Sequence, residues 1–129
     1  MLYDEDCGFC RWSADRLRAL DRRAHLRFAS IQSEEGERLL ETIPVRDRLD
    51  SWHAVAPDGR VHSSGAAVAE VLARLPGGAA LAAITRASPR TTERAYRFVA
   101  HRRNRIAGWL GAEACRVDPR HPELERRQA

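Results

Sequence analysis

The segment LYDEDCGFC, residues 2–10, decides the fold because it joins a short strand to a helix through two cysteines. Leu2-Tyr3 is the strand candidate, and from Cys10 to Leu20 apolar side chains recur at spacings of three and four. That spacing is typical of an amphipathic helix, which we expect over 7–23. The segment therefore predicts a strand followed by a helix whose first turn carries both cysteines.

Patterns further along the chain predict three more strands and four more helices. The expected strands are 25–31, 51–56 and 60–63, and the expected helices are 34–43, 65–75, 79–87 and 91–111. A helix between the first two strands implies that they are parallel, and the turn Pro57-Asp58-Gly59 implies an antiparallel hairpin. We therefore expect an α/β fold with a small mixed four-stranded sheet, helices on both faces and an extra C-terminal helix.

Length and composition indicate one globular domain, expected over 1–115 and followed by an irregular tail over 116–129. The chain has 129 residues, of which 43% are hydrophobic and 31% are charged. No apolar run approaches the roughly 20 residues that a membrane span needs, and the first residues lack the features of a secretory signal. We therefore expect a cytoplasmic protein. Because that compartment is reducing, its three cysteines are not expected to form structural disulfides.

The pair Cys7 and Cys10 carries the predicted chemistry. A thiolate, not a thiol, attacks a disulfide, and the unpaired N–H groups and positive dipole end of a helix N-terminus favour the thiolate. We expect Cys7 to be exposed and to attack, and Cys10, deeper on the helix, to resolve the mixed disulfide. A C-x-x-C between a strand and a helix is typical of a thioredoxin-like redox site, and such a pair needs no bound cofactor.

The residues around the pair are expected to support it. Asp4, at the end of the strand, is the candidate proton acceptor for the resolving thiol. The alternative is that Asp4 and Asp6 only cap the helix. The acidic residues that precede Cys7 should raise its pKa if they lie near the sulfur, and the positive charge of Arg11 acts in the opposite direction, so the sequence alone leaves the pKa of Cys7 open. The other supporting positions are Gly8, Phe9 and Trp12.

The opening from Tyr3 to Cys10 resembles the start of the DCC family of thiol–disulfide oxidoreductases. The similarity covers roughly residues 2–115 and includes Asp58-Gly59-Arg60-Val61, Ser64-Gly65 with Ala67, and a late Arg-rich helix with Tyr96 and Arg105. The resemblance implies a thioredoxin-like fold, a redox pair at Cys7 and Cys10, and acidic positions at Asp4 and Asp6. One departure is Glu5, where the family often has glycine. A second is Asp50-Ser51, which stands where thioredoxins place a cis-proline.

A C-x-x-C is also half of a structural zinc site, which is the first alternative. Zinc takes four ligands, usually from two closely spaced pairs. The remaining candidates are Cys115, His101 and His121, and Cys115 and His121 lack the usual close spacing. The strand-to-helix context therefore favours redox chemistry over a metal site. Cys115 is expected to be a lone, partly buried thiol.

A basic stripe near the C-terminus is the second alternative. All 22 basic residues are arginine, and residues 86–129 carry 11 of them against five acidic residues. The stripe consists of Arg90, Arg94, Arg97, His101 and Arg105. Such a stripe fits an anionic partner, although a solvated helix face is its usual explanation. Because no nucleic-acid motif accompanies it, the expected partner is instead a protein or a low-molecular-weight thiol or disulfide.

Overall fold

The computed structural model describes residues 1–110, in which short strands alternate with helices. The strands are β1 (Leu2–Tyr3), β2 (Ala29–Ser30), β3 (His53–Val55) and β4 (Val61–Ser63). The helices are α1 (Gly8–Leu20), α2 (Glu34–Leu39), α3 (Ser64–Leu72), α4 (Ala79–Ala87) and α5 (Pro89–Trp109), with a 3-10 turn at Val45–Asp47. None of these helices is both long enough and apolar enough to cross a membrane.

The sheet has the strand order β2-β1-β3-β4. Strand β1 runs parallel to β2, with Leu2 opposite Ala29, and antiparallel to β3, with Leu2 opposite His53. Strands β3 and β4 form the antiparallel hairpin, in which His53 lies opposite Ser63. The expected mixed four-stranded sheet is confirmed, and its order and directions are consistent with a thioredoxin-like fold.

Two hydrophobic clusters cover opposite faces of the sheet. One is built on buried Leu2, Ile31 and Leu40, and the other on Ala54, Ala67 and Val71. Because successive side chains of a strand point to opposite faces, Ala54 lies in the second cluster while its neighbour Val55 packs against the first. Helix α2 therefore covers one face, and α1 and α3 cover the other, as expected.

The second strand is shorter than the expected 25–31, because a side chain captures its first amides. The carboxylate of Asp21 accepts hydrogen bonds from the backbone N–H groups of His25 at 3.0 Å and Leu26 at 2.6 Å. Ala24, between them, has a positive φ of 51°. Backbone groups engaged in this turn cannot join a sheet ladder, so β2 is limited to Ala29–Ser30.

Helix boundaries also differ from expectation, for local reasons. Helix α2 ends at Leu39 instead of residue 43, and its C-cap Leu40 has left the helical conformation, with φ −101° and ψ 18°. Helix α5 begins at Pro89, two residues early, because the first helical position does not need an N–H donor. The end of α5 at Trp109 closes the described chain, so the expected tail over 116–129 lies outside the described residues.

Two side-chain bonds link helix α5 to the start of α3 and to the segment before β3. Glu93 Oε2 accepts the backbone N–H of Gly65 at 3.0 Å, where α3 begins. The Tyr96 hydroxyl accepts the backbone N–H of Trp52 at 3.2 Å, just before β3. These bonds bring the middle of α5 over the end of the sheet at which α1 begins, which is the carboxyl end of β1.

Candidate active site

Cys7 is the N-cap of α1. Its backbone is extended, with φ −92° and ψ 110°, and its Sγ accepts the backbone N–H of Cys10 at 3.4 Å. The sulfur therefore takes the place that a serine or aspartate oxygen takes in an ordinary N-cap. This position sets the sulfur beside the free N–H groups of the first turn, where negative charge is favoured.

The thiol of Cys10 is hydrogen-bonded to Cys7. The Cys10 S–H donates a hydrogen bond to the Cys7 sulfur, and this bond, followed by burial, raises the pKa of Cys10 above its ordinary value. The nearby carboxylate of Asp4 adds to the rise, while the guanidinium of Arg103 opposes it. The arrangement keeps Cys10 as a thiol while the pair is reduced.

The exposures of the two cysteines are the reverse of those expected. Cys7 is 1% exposed, whereas Cys10 is half-buried and lines a cavity. The cause is the cap itself, because the Cys7 side chain turns back against the first turn to reach the Cys10 amide. Cys10, one turn later, faces the space between α1 and α5.

The acidic segment before Cys7 is held by Gln32, which sequence reasoning missed. Gln32 Nε2 donates to Asp4 Oδ1 at 2.5 Å and to Asp6 Oδ2 at 3.4 Å, and Gln32 Oε1 accepts from Ser30 Oγ at 2.8 Å and from the Glu5 N–H at 3.3 Å. Asp4 Oδ1 also accepts the Asp6 N–H at 3.0 Å. The parallel pairing of β1 with β2 was a usable signal, since both segments follow the carboxyl ends of these strands.

A cavity of about 540 Å³ adjoins the pair. Most of its wall is apolar, and Asp4, Cys10 and Ser51 are among its polar residues. Other parts of the wall come from Phe9, Trp52, Val68, Ile84 and Val99. The loop in which a thioredoxin has its cis-proline therefore does face the cysteines, with Ser51 and Trp52 in place of proline.

Helix α5 supplies several cavity residues that the sequence did not identify as part of the site, among them Tyr96 and Arg103. Burial raises the pKa of Tyr96 to about 12, against the effect of the hydrogen bond from Trp52. Arg103 is half-buried, and its guanidinium has no hydrogen bond or ion pair with any residue from 1 to 110. The predicted stripe residues lie on another side of the same helix and are exposed. Sequence periodicity could not distinguish these sides, because the apolar residues Phe98 and Trp109 of this helix are exposed as well.

The predicted supporting residues divide into two groups. Gly8 is buried, and Phe9 lines the cavity and stacks on Trp12 with 6.1 Å between ring centroids. Arg11 is exposed, and Trp12 lies under the guanidinium of Arg16 at 5.5 Å. Neither Arg11 nor Trp12 is part of the cavity wall.

A zinc site finds little support in the described chain. Over residues 1–110 no group of three or more His, Cys, Asp or Glu side chains is arranged to hold a metal ion. His101 Nδ1 donates to the carbonyl of Arg97 at 2.7 Å. The other two candidates, Cys115 and His121, lie outside the described residues.

Comparison with known proteins identifies the family. The model of the DCC1-like thiol-disulfide oxidoreductases matches residues 1–109, which include the cysteine pair and all of the cavity wall. No curated protein and no solved structure gave a significant match. Because the family model covers most of the sequence, the chain belongs to the DCC1-like thiol-disulfide oxidoreductase family.

Proposed function

We propose that Cys7 and Cys10 are the redox centre of a dithiol–disulfide exchange enzyme, in which Cys7 attacks and Cys10 resolves. The observation that carries this proposal is that both hydrogen bonds within the pair are donated to the sulfur of Cys7. Cys7 Sγ receives the Cys10 N–H at the helix N-terminus, and the Cys10 thiol points to the same sulfur. Both bonds stabilise negative charge on Cys7, and only a thiolate is an effective nucleophile.

The exchange moves two electrons from the pair to a substrate disulfide. The Cys7 thiolate attacks one substrate sulfur, so that a Cys7–substrate disulfide forms and the first substrate thiolate leaves and takes up a proton. Cys10 then loses its proton and attacks Cys7 Sγ. A Cys7–Cys10 disulfide forms, and the second substrate thiolate leaves. The substrate is reduced to two thiols, and the same steps in reverse oxidise a dithiol.

Asp4 is the proposed acceptor of the Cys10 proton. It lines the same cavity as Cys10, and its charge contributes to the raised pKa of that thiol. Oδ1 is occupied by Gln32 and the Asp6 amide, but Oδ2 accepts no hydrogen bond from residues 1–110. One oxygen can therefore fix the carboxylate while the other takes the proton.

The burial of Cys7 sets a condition on the order of attack. Because Cys7 is only 1% exposed, a substrate sulfur can reach it only after the first turn of α1 or the acidic segment has shifted. The opposite order, in which Cys10 meets the substrate first, has the advantage of access from the cavity. The thiolate argument favours Cys7, and trapping of the mixed disulfide distinguishes the two orders.

The first test is an equilibrium redox titration of the purified protein, read by alkylation and mass. Cys7 and Cys10 are expected to convert together as one two-electron pair, with a midpoint between roughly −270 and −120 mV. Failure of the two sulfurs to pair at any potential contradicts the proposal. If they also resist alkylation until a chelator is added, the pair belongs to a metal site.

The roles are tested by single substitutions. A Cys10→Ser protein is expected to accumulate a mixed disulfide on Cys7, because the resolving sulfur is missing. A Cys7→Ser protein is expected to accumulate much less under the same conditions. The reverse result assigns the attack to Cys10.

Partner and location follow from this chemistry as further parts of the proposal. The electrons reside in the sulfur pair, so no bound cofactor is required, and the partner is a protein or small thiol in the cytoplasm. Reduction of a disulfide-containing protein such as insulin tests the protein-disulfide reductase type. Activity on small disulfides alone restricts the substrate to low-molecular-weight compounds.

A further inference from the structure

The cavity beside Cys10 has the size and walls of a small-molecule site. Its volume is about 540 Å³, within the roughly 300–1,000 Å³ of typical ligand pockets. Side chains from α1, α3, α4 and α5 enclose it, among them Phe9, Val68, Ile84 and Val99. Because its wall is mostly apolar, the ligand that fits is one with an apolar or aromatic body.

One charged side chain in this wall has no hydrogen-bond or ion-pair partner among residues 1–110. Arg103 lines the cavity and is close enough to act electrostatically on both Cys10 and Tyr96. Several other arginines of the described chain form ion pairs, such as Arg97 with Glu93 at 2.8 Å and Arg86 with Glu70 at 2.9 Å. A half-buried guanidinium without a counter-ion in an apolar wall is suited to an anionic ligand, and its planar fork matches a carboxylate.

The one carboxylate of the cavity wall is already engaged. Asp4 Oδ1 is bound by Gln32 and by the amide of Asp6, and Asp4 forms no ion pair with Arg103. Asp4 and Arg103 therefore mark an acidic and a basic side of the cavity, with Cys10 also in its wall. A ligand that places its carboxylate at Arg103 keeps its sulfur free for the cysteine pair.

We propose that this cavity binds the substrate of the exchange reaction, and that the substrate is a small thiol or disulfide with a carboxylate on an apolar body. The proposal rests on the function proposed above and adds the substrate class. Arg103 binds the carboxylate, the apolar wall takes the body, and the substrate sulfur lies beside the pair. The pair gives two electrons to the substrate disulfide, which leaves as two thiols while the Cys7–Cys10 disulfide forms.

Two aromatic disulfides test the proposal, since one carries carboxylates, dithiobis(nitrobenzoate), and the other is neutral, dithiodipyridine. The Arg103→Gln protein is expected to react about 10-fold or more slowly than wild type with the carboxylate reagent, as loss of a charge-assisted hydrogen bond implies. Its rate with the neutral reagent is expected to fall less, because that reagent is affected only through the loss of the Arg103 charge that lowers the pKa of Cys10. Arg105→Gln removes the same charge from an exposed position of α5 and is the matched control. Arg103→Lys is expected to lie between wild type and Arg103→Gln.

A binding measurement without electron transfer gives the second readout. Nitrobenzoate, which has no sulfur, is expected to protect Cys10 from iodoacetamide in the wild-type protein and not in Arg103→Gln. Nitrobenzamide, its neutral analogue, is expected to protect neither protein. Thermal unfolding of each variant shows whether the fold is intact.

The outcomes separate the two proposals. If wild type ends with separate adducts on both cysteines instead of a Cys7–Cys10 disulfide, whichever reagent is used, the proposed function fails. If the disulfide forms but Arg103→Gln slows both reagents equally, or slows neither, the substrate class is wrong. Equal protection by the acid and the amide also contradicts the carboxylate.

Discussion

The backbone N–H of Trp52 donates a hydrogen bond to the Tyr96 hydroxyl at 3.2 Å, and the two rings stack with 6.2 Å between centroids. Trp52 lies just before β3, whereas Tyr96 lies in the middle of α5. Both residues line the cavity that Cys10 adjoins. This contact therefore ties a helix that is distant in sequence to the loop that faces the cysteine pair.

Replacement of Tyr96 by phenylalanine tests that contact. The ring stays, but the Trp52 N–H loses its partner, so the free energy of unfolding is expected to fall by about 1–2 kcal/mol. Tyr3→Phe is the matched control, because its hydroxyl meets Arg18 at 3.3 Å at an exposed position. Urea unfolding of both variants measures the difference. Equal losses in the two proteins contradict a structural role for the Tyr96 bond.

The sheet could be predicted from the sequence because its signals are local. A strand, a helix with C-x-x-C at its start and a Pro-Asp-Gly hairpin fix the order and directions of the strands. The length of β2 could not be predicted, since it depends on Asp21 capturing two amides five residues or fewer away. This competition between a side chain and the hydrogen bonds of the sheet produces no periodic pattern in the sequence.

The cysteines of the site were identified from the sequence, whereas three further candidates were not. Gln32, Tyr96 and Arg103 reach the site only through the packing of β2 and α5 against the start of α1. On α5 the decisive property is which side faces Cys10. Arginines occur all around that helix, so the amphipathic pattern does not single out Arg103.

Replacement of Gln32 by glutamate is expected to loosen the acidic segment. The new carboxylate would lie beside Asp4 and Asp6, where the amide now donates hydrogen bonds at 2.5 and 3.4 Å. At pH 7 the like charges repel, and we expect a loss of about 1–3 kcal/mol in the free energy of unfolding. Below about pH 4, where the introduced glutamate takes up a proton, the loss is expected to shrink. Gln32→Met has no charge, so its loss should not depend on pH, and a pH-independent loss in Gln32→Glu contradicts the charge argument.

Gly36 is expected to tolerate no side chain. A Cβ at this position would lie 2.1 Å from the backbone carbonyl oxygen of Ser30, at the contact between α2 and β2. Gly36→Ala is therefore expected to lower the unfolding free energy by about 1–3 kcal/mol, as overpacking does. Gly108→Ala is the control, since nothing in residues 1–110 lies within 4 Å of its Cβ position, and alanine should stabilise α5 slightly. Similar melting temperatures for the two variants contradict the packing argument.

His53 is expected to make stability depend on pH. It is 1% exposed, its Nε2 donates to the carbonyl of Arg48 at 2.9 Å, and its Nδ1 accepts from Ser63 Oγ at 2.7 Å. Burial lowers the pKa of His53, so the folded protein favours the neutral ring. In the unfolded chain the ring binds a proton at about pH 6.5. The contribution of His53 is complete above that pH and is lost as the pH falls toward the lower pKa of the folded state.

Unfolding free energies measured between pH 8 and pH 5 check this slope. His53→Gln should flatten it. An unaltered slope in His53→Gln assigns the pH dependence to other groups.

Removal of the Cys7 sulfur is expected to lower the pKa of Cys10. In the reduced protein the hydrogen bond from Cys10 to Cys7 is the largest cause of the raised pKa, and burial is the next. Cys7→Ala removes the first cause and keeps the second, so the pKa of Cys10 should fall below its wild-type value. Cys7→Ser keeps a hydrogen-bond acceptor, but one without the negative charge of a thiolate, so the pKa of Cys10 should lie between the other two values.

The pH dependence of Cys10 alkylation by iodoacetamide, located by peptide mass, measures these values. An unchanged midpoint in Cys7→Ala contradicts the bond between the two sulfurs. A lowered midpoint has a direct meaning for the reaction, because a Cys7 held in a mixed disulfide no longer carries the charge that binds the Cys10 proton. Cys10 would then be held as a thiol while the pair is reduced and become the nucleophile once Cys7 has reacted, with Asp4 beside it to receive the proton.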